Sequence, residues 1–234
     1  MIQISNLRYD YGSAGFQLRI DQLSIAAGEK VALIGPSGSG KTTLLHLISG
    51  AKPTQQGNII VDDQQLNSLS DYQRRLFRAT KIGFVFQDFE LIEYLNVTEN
   101  IRLPYLINSE LRFQAQQELT LEQLTLQTGL SDKLKRFPDQ LSQGERQRVA
   151  ICRALITSPR ILLADEPTGS LDPDTAADIL QLLLQQATQL GTTLLMVTHD
   201  HSLIHQFDRT IDMRTLMTQP NLRSTQQPSA ERLP

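Results

Sequence analysis

The stretch KVALIGPSGSGKTTLLHLISG, residues 30–50, decides the fold of this chain. It begins with the apolar run KVALI, which is typical of a strand that has both faces buried in a parallel sheet. A glycine-rich turn follows, and the run TTLLHLISG then has the pattern of a helix that ends at Gly50. The order of strand, glycine-rich turn and helix predicts an α/β domain that carries a phosphate-binding loop.

The turn itself, GPSGSGKT, matches the spacing G-x-x-x-x-G-K-[ST]. Its glycines let successive backbone N–H groups point into a concavity that holds an anion, and the helix that follows adds a positive dipole end. We expect Lys41 to reach the β- and γ-phosphates of a nucleotide and the Thr42 hydroxyl to ligate Mg²⁺. A plain glycine-rich turn is the alternative, and the preceding strand and the Lys-Thr pair argue against it. The expected nucleotide contacts in this loop are Gly35, Pro36, Ser37, Gly38, Ser39, Gly40, Lys41, Thr42 and Thr43.

A second buried strand, RILLAD at 160–165, leads into an acidic pair. A phosphate loop needs a carboxylate from another strand for its metal ion, and Asp165 is placed to supply it. Glu166 comes directly after and would orient or deprotonate the attacking water. The alternative for the pair is a solvated strand end, which the phosphate loop upstream disfavours.

The rest of the chain alternates between strand-like and helical patterns, which implies a parallel α/β sheet. The tail from residue 219 to 234 is polar and contains prolines, which predicts disorder. Strands are expected within 2–27, in a hairpin at 57–66, and at 82–87 and 193–199, and helices within 98–136 and at 175–190.

Composition limits the possible functions. The 234 residues are 40% hydrophobic with a net charge of −3, which is ordinary for a globular protein and argues against bulk nucleic-acid binding. The single cysteine rules out an internal disulfide and fits a reducing compartment. No apolar run approaches the roughly 20 residues that cross a bilayer, and the N-terminus lacks the regions of a signal peptide. We therefore expect a cytoplasmic protein that meets a membrane only through a partner.

Taken together, the motifs resemble the ATPase subunits of ABC transporters over roughly residues 2–215. In family order, GPSGSGKT resembles the Walker A loop, Gln87 the Q-loop glutamine, LSQGE at 141–145 the signature, ILLADEP the Walker B strand, SLD at 170–172 the D-loop, and His199 the switch histidine. Tyr11 resembles the aromatic residue that stacks on adenine, and Tyr9 is its nearby competitor.

The resemblance implies a fold. It is a P-loop NTPase, or RecA-like, parallel-sheet core with an N-terminal antiparallel β subdomain and an inserted helical subdomain at about 88–158. The nucleotide-binding domain would span residues 2–218. Two such subunits pack head to tail in an isologous homodimer, in which each signature closes over the γ-phosphate held by the other subunit.

The resemblance also implies roles for residues outside the phosphate loop. ATP and Mg²⁺ are the expected cofactors, with Thr42, Asp165 and Gln87 around the metal. Glu166 would activate water, and His199 and Gln87 would align it with the γ-phosphate; a strand-end glutamine and a surface histidine are the alternatives for these last two. His46, His201 and His205 lack such a placement and are taken as structural or solvated.

The signature departs from the family pattern. Ser142 and Gly144 match its two critical positions, but Gln143 replaces a glycine and Glu145 replaces a glutamine. Because Ser142 and Glu145 have the spacing of a capping box, we expect Glu145 to face back to the start of its helix and not to touch nucleotide. Asp172 would bridge the two subunits. Its alternative is an N-cap for the next helix, and both can be true.

The segment 88–106 resembles a narrower group, the subunits of lipoprotein-releasing and macrolide-export systems. In the family, this region holds a coupling helix of the membrane permease subunit. Most of its apolar residues are expected in the core and a minority in an exposed groove; they are Phe89, Leu91, Ile92, Leu95 and Val97. We also expect the chain to lack the regulatory C-terminal domain of sugar importers.

The function that follows is an ATP-hydrolysing subunit, peripheral at the cytoplasmic face of the inner membrane, that drives export or lipoprotein release. One rival is a mechanotransmission complex that moves no cargo, which sequence does not separate from export. A second is a non-transport ABC ATPase acting on DNA or ribosomes, whose usual coiled-coil insertions, zinc sites or second ATPase copy are not seen. A P-loop kinase would not need the signature turn.

Overall fold

The computed structural model describes residues 1–12, 17–200 and 202–217, so His201 and the tail predicted to be disordered lie outside the described residues. The strands are β1 (Ile2–Asp10), β2 (Gln17–Ile25), β3 (Lys30–Ile34), β4 (Gln56–Val61), β5 (Gln64–Gln65), β6 (Ile82–Val85), β7 (Ile161–Asp165), β8 (Thr193–Val197) and β9 (Arg209–Asp212). The α-helices are α1 (Lys41–Ile48), α2 (Asp71–Lys81), α3 (Val97–Leu106), α4 (Ala115–Gln127), α5 (Gln143–Leu155), α6 (Pro173–Leu190) and α7 (Met213–Leu216).

A five-stranded parallel sheet in the order β6-β7-β8-β3-β9 forms the centre of the molecule. Its middle strands β3, β7 and β8 are buried along nearly their whole length, as the continuous apolar runs predict. The carboxyl ends of parallel strands meet at one edge of a sheet, where α/β proteins bind ligands. The phosphate loop, the acidic pair and His199 all follow strands at this edge.

A second sheet is antiparallel, in the order β2-β1-β4-β5. It confirms the predicted N-terminal β subdomain and the predicted hairpin, in which β4 pairs with both β1 and the short edge strand β5. Asp62 and Asp63 form the two-residue turn of that hairpin at φ values of 49° and 62°. Positive φ at both positions is what a type I′ turn requires.

The close approach of β1 and β4 depends on Gly57. This glycine has a φ of +88°, and a Cβ built on it would lie 2.4 Å from the carbonyl oxygen of Asn6. We expect Gly57→Ala to lower the free energy of unfolding by about 2–4 kcal/mol, because backbone atoms would have to separate. Urea denaturation measures this as a lower midpoint with an unchanged slope.

Gly28 provides the matched control for that substitution. Its φ is +74°, but a Cβ there would meet nothing within 4 Å. Gly28→Ala therefore reports only the backbone cost, about 1–2 kcal/mol. If the two variants lowered the stability equally, the close approach to Asn6 would not be what requires glycine at position 57.

The helices α3, α4 and α5 pack together beside the parallel sheet and form the inserted helical part of the fold. Cys152 of α5 is fully buried, its Sγ lies 3.4 Å from the Thr128 hydroxyl, and burial raises the pKa of its thiol to about 12. The prediction of a small buried hydrophobic residue is confirmed. The exact bounds of the subdomain, 88–158, remain a prediction.

The loop between β6 and α3 differs from expectation. Of the five apolar residues predicted for this segment, only Val97, the first residue of α3, is fully buried, so the prediction that most lie in the core is wrong. The loop runs over the surface and is held by polar groups. The Arg153 guanidinium of α5 donates to the carbonyl oxygens of Phe89 and Glu90, which both have positive φ, and the buried Asn100 side chain bonds the backbone of Ile92.

Three further elements, α2, β9 and the short helix α7, were not predicted. Within the described ranges, no helix combines the length and the apolar character needed to cross a membrane.

Candidate nucleotide site

A cavity of about 620 Å³ opens at the carboxyl edge of the parallel sheet. It collects residues from the phosphate loop, the end of β1, the loop after β6 and the loop after β7. Its lining consists of Tyr11, Ser37, Gly38, Gly40, Lys41, Thr42, Thr43, Gln87 and Glu166. The sequence places these residues far apart, and the parallel topology brings them together.

The phosphate loop has the backbone that an anion cradle needs. Gly35, Gly38 and Gly40 have φ values of 149°, 74° and 90°, which favour glycine. Lys41 is only 7% exposed, and its Nζ donates to the carbonyl oxygens of Gly35 at 2.8 Å and Pro36 at 3.0 Å. The ammonium is thus held against the loop. Helix α1 begins here without a side-chain cap, so its first N–H groups face the loop.

One buried polar atom in this loop tests whether a phosphate group fits. The Ser39 hydroxyl has no hydrogen-bond partner among the described residues. A buried hydroxyl is rarely left without one, and a phosphate oxygen would supply an acceptor. Together with the ammonium of Lys41 and the first N–H groups of α1, the loop offers a donor set that suits the phosphates of a nucleotide.

The position expected for Mg²⁺ lies between α1 and the end of β7. Thr42 at the start of α1 and Asp165 at the end of β7 interact electrostatically here. Burial raises the pKa of Asp165 above its ordinary value, the Thr42 hydroxyl opposes that rise, and the neighbouring Glu166 charge adds to it. Hydroxyl and carboxylate oxygens are ligands that Mg²⁺ prefers, and its charge would offset the cost of burying an ionised Asp165. These residues therefore fit the ion.

The groups expected to handle water converge next to this position. Glu166 adopts a φ of +46°, its N–H donates to the Val197 carbonyl at 3.1 Å, and its Oε2 lies 3.2 Å from His199 Nδ1. A non-glycine residue at positive φ persists only where its surroundings hold it there. A Cβ built on Gly169 would lie 3.6 Å from Gln87 Nε2 and 3.7 Å from Glu166 Oε2.

A Cβ at Gly169 would be in ordinary van der Waals contact with both side chains, so the Gln87 and Glu166 side chains approach the same point beside this residue. The sequence analysis did not single out Gly169, which lies between the acidic pair and the D-loop.

The two candidate aromatic residues differ in exposure. Tyr11 is 46% exposed and Tyr9 only 9%, and their rings pack edge to face at 5.3 Å. The Tyr11 hydroxyl lies 2.9 Å from Thr43 Oγ1, and the Lys52 ammonium sits 5.0 Å from the centre of the Tyr11 ring. Tyr11 is thus the ring that reaches the cavity. Lys52, which sequence reasoning missed, contributes a cation–π contact to it.

The signature turn has the predicted capping box. The N–H of Glu145 donates to Ser142 Oγ at 3.3 Å, and Glu145 Oε2 accepts from the Ser142 N–H at 2.8 Å. Glu145 therefore faces back to the helix start, and Gln143 is exposed. A Cβ on Gly144 would lie 2.7 Å from Thr175 Cγ2 of α6, so packing within the chain also requires glycine here.

Asp172 caps helix α6. Its Oδ1 accepts from the Thr175 N–H at 3.0 Å, and this bond lowers the pKa of Asp172. The N-cap interpretation is confirmed, and the role in bridging subunits stays a prediction. Asp172, Ser142 and Gly144 are absent from the lining of the cavity formed by the described residues. So are Gly35, Pro36, Ser39, Asp165 and His199, which belong to the phosphate loop or contact its lining residues. Of the other histidines that the structure describes, His205 is exposed, and burial lowers the pKa of His46 while its interaction with Asp165 opposes that shift.

A larger hollow of about 710 Å³ lies on another face, between α2 on one side and α3 with the end of α5 on the other. We call it the α2–α3 groove. Its lining combines apolar residues, with Leu76, Phe86 and Ile107 among them, with polar and charged ones, which include the largely buried Arg153. The Tyr72 hydroxyl donates to Glu110 Oε1 at 3.1 Å across the groove.

Comparisons with known proteins agree with what the geometry of the site indicates. Residues 18–169 match the family model described as ABC transporter. The lipoprotein-releasing system ATP-binding protein LolD of Psychrobacter arcticus is 40% identical over 210 residues, which are 89% of this chain and 92% of that protein. The macrolide export ATP-binding/permease protein MacB of Rhodopirellula baltica is 41% identical over 92% of this chain, which covers 32% of MacB.

A solved structure has the same fold. The dimeric post-hydrolysis state of the ATP-binding cassette MJ0796, bound to ADP and Pi, superimposes with a TM-score of 0.79 at 34% identity. The match covers 91% of this chain and 94% of that one. The predicted resemblance, the P-loop fold and the ATPase activity are thereby confirmed.

Proposed function

This chain belongs to the ABC transporter family as an ATP-binding subunit that hydrolyses ATP, and from that premise we propose that two copies close around two MgATP molecules to drive an integral membrane subunit. The resulting movement of the membrane subunit serves export or lipoprotein release. Binding to that subunit holds the chain at the cytoplasmic face of the inner membrane. One observation carries the proposal: phosphate loop, metal ligands and the Glu166–His199 pair meet at one edge of the sheet, while the signature lies outside their cavity.

Binding of the nucleotide rests on groups with separate tasks. The phosphate loop and Lys41 hold the phosphates, and Tyr11 stacks on the base. Thr42, Asp165 and Gln87 hold Mg²⁺, which when bound neutralises charge on the phosphate oxygens. Because the glycines already have the φ values that the cradle needs, little reorganisation is required on binding.

Hydrolysis rests on Glu166. Its Oε2 orients a water molecule and takes its proton as the water oxygen attacks the γ-phosphorus. The bond from phosphorus to the bridging oxygen of ADP breaks in line. His199 fixes the carboxylate from 3.2 Å, and Gln87 approaches from the side of Gly169. The backbone bond at Glu166 keeps the carboxylate in position. Such fixed positioning of catalytic groups is a main source of rate acceleration in enzymes.

When two subunits close, each uses its signature turn, which does not line the nucleotide cavity of its own chain. Ser142, Gly144 and the first N–H groups of α5 bind the γ-phosphate held by the second copy, and Asp172 contacts that copy as well. A helix N-terminus without bulky side chains favours a phosphate oxygen. The dimeric state of the similar MJ0796 cassette, bound to ADP and Pi, supports dimerisation.

The α2–α3 groove is the proposed seat of the membrane subunit. A groove lined by apolar residues together with Arg75, Arg78 and Arg153 suits an amphipathic coupling helix whose apolar face enters the groove. The similarity to LolD and MacB supports lipoprotein release or export as the work performed.

Affinity purification tests the proposal. A tagged Glu166→Gln chain is expressed in its native cell and purified from detergent-solubilised membranes with MgATP present throughout, and co-purifying proteins are identified by mass spectrometry. We expect a multi-span membrane protein at about one or two copies per ATPase pair. Recovery of soluble proteins or nucleic acid alone would replace transport with a non-transport ATPase function.

A groove variant supplies the control. Ile107 is 76% exposed, so Ile107→Glu should leave folding and basal ATPase activity intact while removing the membrane protein from the purified complex. Reconstituting the complex in liposomes then separates transport from signalling. ATP-dependent release of a lipoprotein or of a small apolar cargo supports transport, and ATP turnover without release favours mechanotransmission.

A further inference from the structure

The signature turn contains a carboxylate where a phosphate is to be received. Glu145 is fixed by two contacts, one for each of its oxygens. Oε2 accepts from the Ser142 N–H at 2.8 Å, and Oε1 lies 3.5 Å from Lys133 Nζ. The side chains of Lys133 and Glu145 are 18% and 23% exposed, so water screens the pair only in part. Asp132 also contacts the same ammonium, at 3.0 Å and 3.2 Å, but it is 72% exposed.

The backbone around Lys133 is held independently of its ammonium. The Lys133 N–H donates to the Leu130 carbonyl at 2.9 Å, and the Lys133 carbonyl accepts from the Arg136 N–H at 2.9 Å. Val97 N then donates to the Arg136 carbonyl, which ties this loop to α3. Since these bonds use main-chain atoms, removing the charge of Lys133 should leave the loop in place.

The balance of charge at the signature turn therefore depends on the side chain of Lys133. A free carboxylate within a helical turn of an arriving phosphate would repel it, and partial burial strengthens the repulsion. The ammonium of Lys133 offsets that charge and holds Oε1 on the side of the loop. The Ser142 bond and the Lys133 charge both lower the pKa of Glu145, so the carboxylate remains ionised and needs this partner.

We propose that Lys133 is a positioning residue for the signature turn, which neutralises and fixes Glu145 so that residues 142–145 can accept the phosphate held by a second copy of the chain. This inference rests on the head-to-tail dimer proposed above. It assigns to the loop between α4 and α5 a part in the reaction that neither the motif nor its spacing indicates.

Dimerisation in the Glu166→Gln background tests the inference, because that variant retains ATP. Sedimentation velocity over a range of protein concentrations gives the dissociation constant of the ATP-dependent dimer. We expect Lys133→Met to raise that constant about tenfold, since it leaves an unpaired, partly buried carboxylate at the interface. Lys133→Arg should stay within about twofold of the parent, because it keeps the charge. Asp132→Asn, at the exposed neighbour, should also match the parent.

The double variant separates charge neutralisation from support of the loop. If Lys133 acts through Glu145, Lys133→Met combined with Glu145→Gln should return to within about twofold of Glu145→Gln alone. A weakening of the same size in both backgrounds, or no weakening with Lys133→Met, overturns the inference. Thermal melting verifies folding. ATP binding by the monomer does so too, because it uses the nucleotide cavity and not the signature turn. Lys133→Gln replaces Lys133→Met if the latter does not fold.

The two proposals fail in different ways. If the parent Glu166→Gln chain forms no ATP-dependent dimer, the head-to-tail arrangement is wrong. If the parent dimerises and Lys133→Met dimerises equally well, only the role of Lys133 is wrong.

Discussion

Replacing Glu166 with Gln should lower the rate of ATP hydrolysis about 10³-fold and leave MgATP affinity within about twofold. The substitution keeps the size of the side chain and removes its ability to take a proton. Phosphate release under saturating ATP measures the rate, and titration with a fluorescent ATP analogue measures the affinity.

The environment of Glu166 explains why the effect should fall on turnover. The carboxylate lies beside His199 and Gln87, and Glu166 makes no hydrogen bond to the phosphate loop among the described residues. Its backbone is fixed by the bond to Val197 and is unchanged by the substitution. The carboxylate therefore adds little to the binding of MgATP in the ground state, whereas the proton acceptor is needed only in the transition state.

Glu118→Gln is the matched control for the removal of one negative charge, because Glu118 is exposed on α4. It should turn over ATP like the parent chain. Hydrolysis by Glu166→Gln within tenfold of the parent would remove Glu166 from the catalytic step and direct attention to His199.

Replacing Lys41 with Ala should weaken MgATP binding about 100-fold. Two effects act together. The ammonium is the charged donor nearest the expected phosphates, and it also bonds the carbonyl oxygens of Gly35 and Pro36, so that its removal frees the loop as well. Isothermal titration with MgATP measures the change directly.

Lys81→Ala is the matched control, since Lys81 is 43% exposed and pairs with Asp62 on the other sheet. Because an exposed ion pair contributes little to stability, Lys81→Ala should keep the fold of the parent. It should therefore also bind MgATP like the parent. The melting temperatures of the nucleotide-free variants should agree within a few degrees. If Lys41→Ala bound MgATP within threefold of the parent, the phosphates would not sit where the loop geometry places them.

The sequence predicted the parts of this fold whose cause is local. Buried parallel strands leave continuous apolar runs, and the phosphate loop and the capping box of α5 are short motifs with their own chemistry. Helix α2 was missed because it carries few apolar residues, of which only Phe77 is buried. Its signal was the Ser70–Gln73 capping box, which the structure contains.

Interactions between distant segments left no such signal. The packing of Gly144 against Thr175, the position of Gly169 between two side chains and the ion pair of Lys133 with Glu145 all arise from tertiary structure. The prediction that most apolar residues of the loop after β6 lie in the core was wrong for a related reason. Arg153 and Asn100 hold that loop by hydrogen bonds to its backbone, so its apolar side chains need not be buried to fix it.

Arg153 has a mechanical consequence. It lines the α2–α3 groove, and its guanidinium donates to the main chain at Phe89 and Glu90, two and three residues beyond Gln87. A displacement of Arg153 would therefore be transmitted to the main chain of Phe89 and Glu90 through these hydrogen bonds. They connect the groove to the backbone directly after Gln87, the residue proposed to align the attacking water.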